Sequence, residues 1–239
     1  MRFAWLLILC ALIQPSFMRA SDEQRQSVPT FATRLNKPIL RFQASGRTLI
    51  AVVLDLAYEY GLPTALEYVD SAASTRPLDL NFAKASPREI LTQVIASYPE
   101  YRVSFSAGVV NIYSPAARAD RSNLLNLVVK DFSVAHADTH RADFELFCEV
   151  IRQQHAGDAC SGSVATGQWG PKKISLQLRG AKVYEILNAI VANNGSAIWI
   201  VLAPPDKLAT MPNGGLWHIY PLDRSFKEAV LDKIAAVTR

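Results

Sequence analysis

The densest group of side chains able to do chemistry in this sequence is His136-Ala-Asp138-Thr-His140-Arg-Ala-Asp143. Two histidines four residues apart on a continuous helix share a face, as paired zinc ligands do, and Asp143 would stand beside them as ligand or base. A hydrolytic or metal-dependent site, if the chain had one, would be built from His136, His140 and Asp143. The spacing argues against it. It straddles the start of a predicted helix at which Asp138 and Thr139 serve better as N-cap residues, and no further ligand is identifiable. Cys148 paired with His140 as a thiol and its base meets a similar objection, because the helix buries Cys148 and no motif supplies an Asn or Asp partner. There is no G-x-S-x-G and no Walker loop; Gly214-Gly215 is a lone glycine pair. Asn194-Gly195-Ser196 fits a glycosylation acceptor, which has meaning only in some sources. Of the tryptophans Trp169, Trp199 and Trp217, which could form a binding platform, Trp199 lies in a strand apolar on both faces and reads as core. Trp169, in a glycine-flanked loop, is the best exposed aromatic. No catalytic, cofactor-binding or metal-binding residue is assigned.

The other reactive pair is Cys148 and Cys160. A third cysteine, Cys10, lies inside the apolar run Phe3 to Ile13, which follows Arg2 and precedes Met18-Arg19-Ala20. That order of basic, apolar and small residues is a secretory signal over residues 1–20. Its eleven apolar residues span roughly 16 Å, about half a bilayer's hydrocarbon core. Export places Cys148 and Cys160 in an oxidising compartment, where an isolated pair forms a disulfide. No C-x-x-C motif occurs. Without residues 1–20 the chain keeps 23 basic and 21 acidic side chains, a balance with no electrostatic reason to bind nucleic acid. No later run of apolar residues is long enough to span a membrane. Half of all residues are apolar, enough for a substantial core.

These side chains must be carried by regular elements. Residues 21–37 are polar and aperiodic and read as a flexible leader. Ile39 to Phe42 is a candidate strand, followed by a helix from about Thr48 to Tyr60 stopped by Gly61. Thr64 to Val69 reads as a short strand. Leu78, Leu80 and Phe82 alternate with polar residues, and Ser86-Pro87-Arg88-Glu89 is a strong helix start. Tyr101 to Phe105 and Val109 to Tyr113 form an expected hairpin across Ala107-Gly108. A linker, Pro115 to Ser122, precedes a strand from Leu124 to Val134 and a helix from Thr139 to Gln154 with Phe144, Phe147, Cys148 and Ile151 inward. Ile174, Leu176 and Leu178 alternate; a helix over 181–193, a strand over 197–202 and a strand over 217–220 follow. Ser225-Phe226-Lys227-Glu228 opens a last helix burying Phe226, Val230 and Ile234.

Residues 78–105 match the segment 96 positions later without a gap. Leu78, Leu80 and Phe82 meet Ile174, Leu176 and Leu178, and Glu89-Ile90-Leu91 repeats as Glu185-Ile186-Leu187. Both segments are followed by Ile-Tyr, at Ile112-Tyr113 and Ile219-Tyr220, and the first helix recurs about 95 residues on. The expected fold class is therefore α+β: two repeated strand–helix–strand–strand–helix–strand–strand units with helix-covered sheets, one over 38–115 and one over 123–239, the second carrying a C-terminal helix. Two such units form either two small sandwiched sheets or one merged sheet with helices on one face.

The strand–helix–hairpin core, Leu78 to Tyr113 and Ile174 to Tyr220, resembles the short N-terminal domain of secretins and TonB-dependent receptors. The closing strand Gly108-Val109-Val110-Asn111-Ile112 has the same glycine-valine-hydrophobic-polar-hydrophobic form. The likeness covers about a third of the chain and brings no barrel or pore-forming segment with it. It implies a cell-envelope protein-interaction fold. The function expected is that of an exported, periplasmic or secreted, non-enzymatic module. It would bind a protein partner through sheet edges or the 157–170 loop, by strand addition.

Overall fold

A computed structural model describes residues 29–67, 73, 75–154, 160, 172–201 and 217–237; the expected signal over residues 1–20, Trp169 and all of the expected 157–170 loop except Cys160 lie outside them. The described residues form seven α-helices and nine strands in three open sheets. The end of the expected leader is ordered. Thr30 caps a short helix, α1 (Phe31–Leu35), whose Leu35 is fully buried. The first repeat follows as β1 (Ile39–Thr48), α2 (Leu49–Tyr60), β2 (Thr64–Leu66), β3 (Pro77–Ala85), α3 (Pro87–Ala96), β4 (Arg102–Ser106) and β5 (Val109–Tyr113). The linker contains α4 (Pro115–Ala119), and a 3-10 turn, Leu124–Asn126, stands where the strand expected over Leu124 to Val134 was to begin. The second repeat is β6 (Val128–Ala137), α5 (Thr139–Gln154), β7 (Ile174–Lys182), α6 (Val183–Asn194), β8 (Ala197–Ile200) and β9 (His218–Pro221), and α7 (Arg224–Val237) closes the chain.

In each repeat the two long strands pair with each other, antiparallel: β1 with β3 and β6 with β7. The two short strands also pair as a hairpin, β4 with β5 and β8 with β9. The registers agree in detail. Phe42 faces Phe82 and Phe132 faces Leu178; Val103 faces Ile112 and Trp199 faces Ile219. The second helices start alike. The Glu89 carboxylate accepts from the Ser86 amide at 2.7 Å, and the Glu185 carboxylate from the Lys182 amide at 2.8 Å. At the positive end of a helix these hydrogen bonds favour the charged carboxyl, and the Glu89 pKa is lowered by its backbone and side-chain bonds from Ser86. Leu91, Val94, Leu187 and Ile190 are all buried.

The first strand and helix recur 90 residues on, not about 95. The bulge between Ser45 and Arg47 contains Gly46, and the bulge between Val134 and Ala137 contains His136. Thr48 and Asp138 then each accept the backbone N–H three residues ahead, from Ala51 and Arg141. This spacing also corrects the buried face of α5. Ala142, Leu146 and Val150 are its buried apolar stripe together with Cys148, while Phe144 and Ile151 are only half-buried. Ala142 and Leu146 stand where the first repeat has the buried Val52 and Leu56.

The hairpins merge. β2 lies between them, parallel to β5 on one side and to β8 on the other, giving the order β4-β5-β2-β8-β9. The helices do not share one face of this sheet. Ile198 and Ile200 belong to the core built on α2 and α3, whereas Ala197 and Trp199 belong to the core built on α5 and α6. The central sheet is therefore covered by α2, α3 and the C-terminal helix α7 on one side and by α5 and α6 on the other. The ribbons β1–β3 and β6–β7 lie outside these helices, each packing its half-buried side chains onto one core. That is why β8, Ala-Ile-Trp-Ile, is buried at every position. At the chain's end, Asp223 rather than Ser225 caps α7, accepting from the Ser225 amide at 2.9 Å. Val230 and Ile234 are buried but Phe226 is 40% exposed.

Candidate functional site

The structure separates the histidines. His136 is exposed on its bulge at φ 47°, with its amide held by Ser175 Oγ at 3.1 Å. His140 lies in the first turn of α5, beyond the cap residue Asp138. The Asp138 carboxyl is held below the usual carboxylate range, first by the Arg141 amide and further by Lys173, 3.2 Å from its oxygen. Among the described residues no three His, Cys, Asp or Glu side chains stand together in the way a metal ion requires.

Asp143 is engaged elsewhere. It replaces the buried Val53 of the first repeat, and its carboxylate accepts from Trp217 Nε1 at 2.5 Å, tying α5 to the start of β9. Although the residue as a whole keeps some exposure, its carboxyl end is enclosed. Burial pushes its pKa up to about 7 against the opposing effect of the indole N–H. Cys148 and Cys160 are disulfide-bonded, with Cα atoms 5.3 Å apart, as expected of the isolated cysteine pair. Trp199 is fully buried.

Among the polar contacts that join the repeats, two arrangements lie inside the molecule, and neither was legible as a motif. Glu67, 4% exposed at the end of β2, accepts two hydrogen bonds from the Arg118 guanidinium of α4, one from Nε at 2.7 Å. The guanidinium carbon lies 3.6 Å from the Tyr113 ring centroid and 4.6 Å from that of Tyr184 on α6. Burial pushes the Glu67 carboxyl up, and Arg118 pulls it back. The second is a buried chain. Trp199 Nε1 donates to Asn188 at 2.9 Å, Asn188 Nδ2 to Asn111 at 2.6 Å, and Asn111 Nδ2 to the Val109 carbonyl at 3.2 Å. Each donor so far inside must find a partner, and these three find theirs across the join between α6, β8 and β5. Polar residues inside otherwise apolar segments, Asn111 in VVNIY and Asn188 in EILNAIV, were the available signal.

Besides these engaged groups, the described residues present strand edges. The central sheet ends at β4 on one side and β9 on the other, and no described strand pairs with either outer edge. β9 includes Pro221, a residue compatible with an edge because it has no N–H to offer a ladder. Such edges accept an added strand through backbone hydrogen bonds. Among the described residues no helix is long and apolar enough to cross a membrane. Compared with known protein families, with characterised proteins and with solved structures, the chain shows no significant match.

Proposed function

We propose that this chain is an exported, non-enzymatic protein-interaction module of the cell envelope or the secreted space. It is a tandem of units like the short N-terminal domain of secretins and TonB-dependent receptors. The observation that carries the reading is the central sheet. Two repeats pool their hairpins into five strands, and among the described residues no strand pairs with either outer edge. The Cys148–Cys160 disulfide fits an oxidising compartment, and the apolar run before Ala20 fits an export signal over residues 1–20. The partner is a protein that adds a strand.

A hydrolytic or metal-dependent reading built on His136, His140 and Asp143 has less support. Trp217 occupies the Asp143 carboxylate, and Gly46 takes the place of His136 in the first repeat. The test is photo-crosslinking in the native envelope, with a photoreactive residue at Ser104 on β4 or at His218 on β9. One discrete adduct from an edge position, and none from a buried control at Leu187, is the expected result. Absence of any adduct from both edges would remove the interaction reading. N-terminal sequencing of the exported protein should begin near Ser21.

A further inference from the structure

The two long ribbons share one irregularity and dress it differently. In a regular strand successive side chains point to opposite faces. Near the start of β1 that alternation fails, and it fails directly opposite, near the end of β3. Ile39 and Ala85 are buried, and Phe42 and Phe82 pack inward with ring centroids 6.4 Å apart. Between them Leu40, Arg41, Ala83 and Lys84 are all exposed. Leu40, 79% exposed, pairs across the ribbon with Lys84. The second repeat has the same kink: Val129 and Phe132 are buried, and Lys130, Asp131, Arg179 and Gly180 are exposed. There Gly180 takes the positive φ, 58°, and Asp131 pairs with Arg179 at 3.3 Å.

In the first repeat the positive φ, 65°, falls on Arg41, inside the strand. A residue with a Cβ is strained there, and strain of that kind gathers where a side chain is needed for function. The charge it carries has no counterpart in the fold. Among the described residues no carboxylate pairs with Lys37, Arg41 or Lys84, all of them exposed. The carboxylates to either side of Lys84 in sequence are engaged, Asp79 by Ser45 and Gly46, Glu89 by Ser86. Two cations and a leucine thus stand where the second repeat has an ion pair, a lysine and a glycine. Charges that only guard a ribbon against aggregation would need neither the leucine nor the strained backbone.

We propose that this kink, Leu40, Arg41 and Lys84 with Lys37 just before the strand, is a docking surface for an acidic segment of a partner protein that carries an apolar residue. The inference goes beyond the strand-edge reading: the surface lies on a different sheet, and the contact uses side chains rather than backbone. Carboxylates of the segment meet the guanidinium and the ammonium groups, and its apolar side chain covers Leu40. Charge complementarity selects the occupant, and its extent selects the size. Farther along the same face stand Gln43 and Asn81, uncharged, and then Asp79, so the cations are confined to one end of the ribbon. A lipid bilayer rewards cations spread over a plane, whereas a short acidic segment needs only these few. An isologous contact with a second copy would bring like charges together.

The test is an NMR titration of the purified, oxidised chain with the end-blocked peptide Glu-Glu-Leu-Glu-Glu. Amides of Leu40, Arg41, Ala83 and Lys84 should shift saturably, and those of Lys130, Asp131 and Gly180 should not. Raising salt from about 0.05 to about 0.2 M should weaken binding about fivefold. Arg41→Glu with Lys84→Glu should weaken it about tenfold, and Leu40→Ser about threefold. The decisive variant is Arg41→Gly, which suits the backbone: it should raise the melting temperature and still weaken binding about threefold. A glycine variant that binds as well as the native chain would overturn the assignment. So would equal shifts at the two kinks, or no saturable shift up to about 5 mM peptide. Shifts that follow protein concentration without peptide would overturn it in favour of a second copy. A clear gain in affinity on Asp22→Asn with Glu23→Gln would do so in favour of the chain's own N-terminal residues. Co-sedimentation with vesicles of phosphatidylglycerol and phosphatidylcholine, lost in Leu40→Ser and without any response to peptide, would assign the surface to lipid instead. Crosslinking at Ser104 and His218 reads the sheet edges independently, so failure here leaves that reading standing.

Discussion

Gly46 and His136 occupy the same bulge in the two repeats, 90 positions apart, and both have positive φ, 65° and 47°. Glycine takes that conformation without steric cost, whereas a histidine is strained there by roughly 1 kcal/mol. His136→Gly is therefore expected to stabilise the chain, by up to about 1 kcal/mol in thermal or urea unfolding. Gly46→His should lower stability by a similar amount. If the glycine variant instead unfolds more readily, the imidazole makes a contact worth more than the backbone strain.

Leu91 and Leu187 stand at equivalent places in α3 and α6, facing opposite sides of the central sheet, and both are buried. Truncating either to alanine should cost about 2–5 kcal/mol as a core deletion. Comparable losses are expected from the two, measured by denaturant unfolding. A loss under 1 kcal/mol at one site only would show that the repeats are not packed alike.

Arg118 is the partner of a carboxylate that is almost fully enclosed. Removing it with Arg118→Ala leaves Glu67 buried and unpaired, a change that typically costs about 3–5 kcal/mol. Glu67→Gln in the same background should recover part of that loss, because the neutral amide no longer needs the guanidinium. No recovery in the double variant would mean that Arg118 acts through its stacking on Tyr113 and Tyr184.

Asp143 has a folded-state pKa raised to about 7, above its value in an unfolded chain. Between roughly pH 4 and pH 7 the folded state binds more protons at this site than the unfolded state does. Its contribution to stability is thus complete below the unfolded pKa and is lost as pH rises through 7. Asp143→Asn should flatten that part of the stability–pH curve and raise the relative melting temperature at pH 8. An unchanged curve would show that the carboxyl titrates normally.

The legible parts of this fold were those encoded within a few residues. Alternation gave β3 and β7, the serine–proline–glutamate start gave α3, and the identical Glu-Ile-Leu exposed the repeat across an ungapped stretch. The first helix escaped the same register because the segment between the first helix and the following long strand differs in length by six residues in the two halves. Its buried face was consequently misplaced onto Phe144 and Ile151, where aromatic and branched residues outweighed Ala142. The merging of the hairpins is only one of two arrangements the sequence allows, with the helices expected on one face, and nothing in it chooses between them. It depends on β2, three residues long, pairing with a strand far along the chain, and no local pattern reports such a contact. The carboxylate of Asp143 was noticed for its proximity to histidines in sequence, yet its partner is an indole on another element. The Cys148–Cys160 pairing was readable because those cysteines are the only two outside the apolar run at the start of the chain.

β2 meets its second neighbour, β8, only after roughly 130 more residues have been made. A chain emerging from its N-terminus must therefore hold a finished first half with one side of β2 waiting, and the closing contact is among the most distant in the molecule. Contacts of that range slow folding. Until β8 arrives, the waiting strand is open to the β8 of another molecule, so crowding during synthesis or refolding favours an exchanged dimer in which each chain lends its first half to the other's second. The same dependence makes the two halves poor candidates for separate expression: cut in the linker, each would carry a raw strand edge that the intact chain never shows.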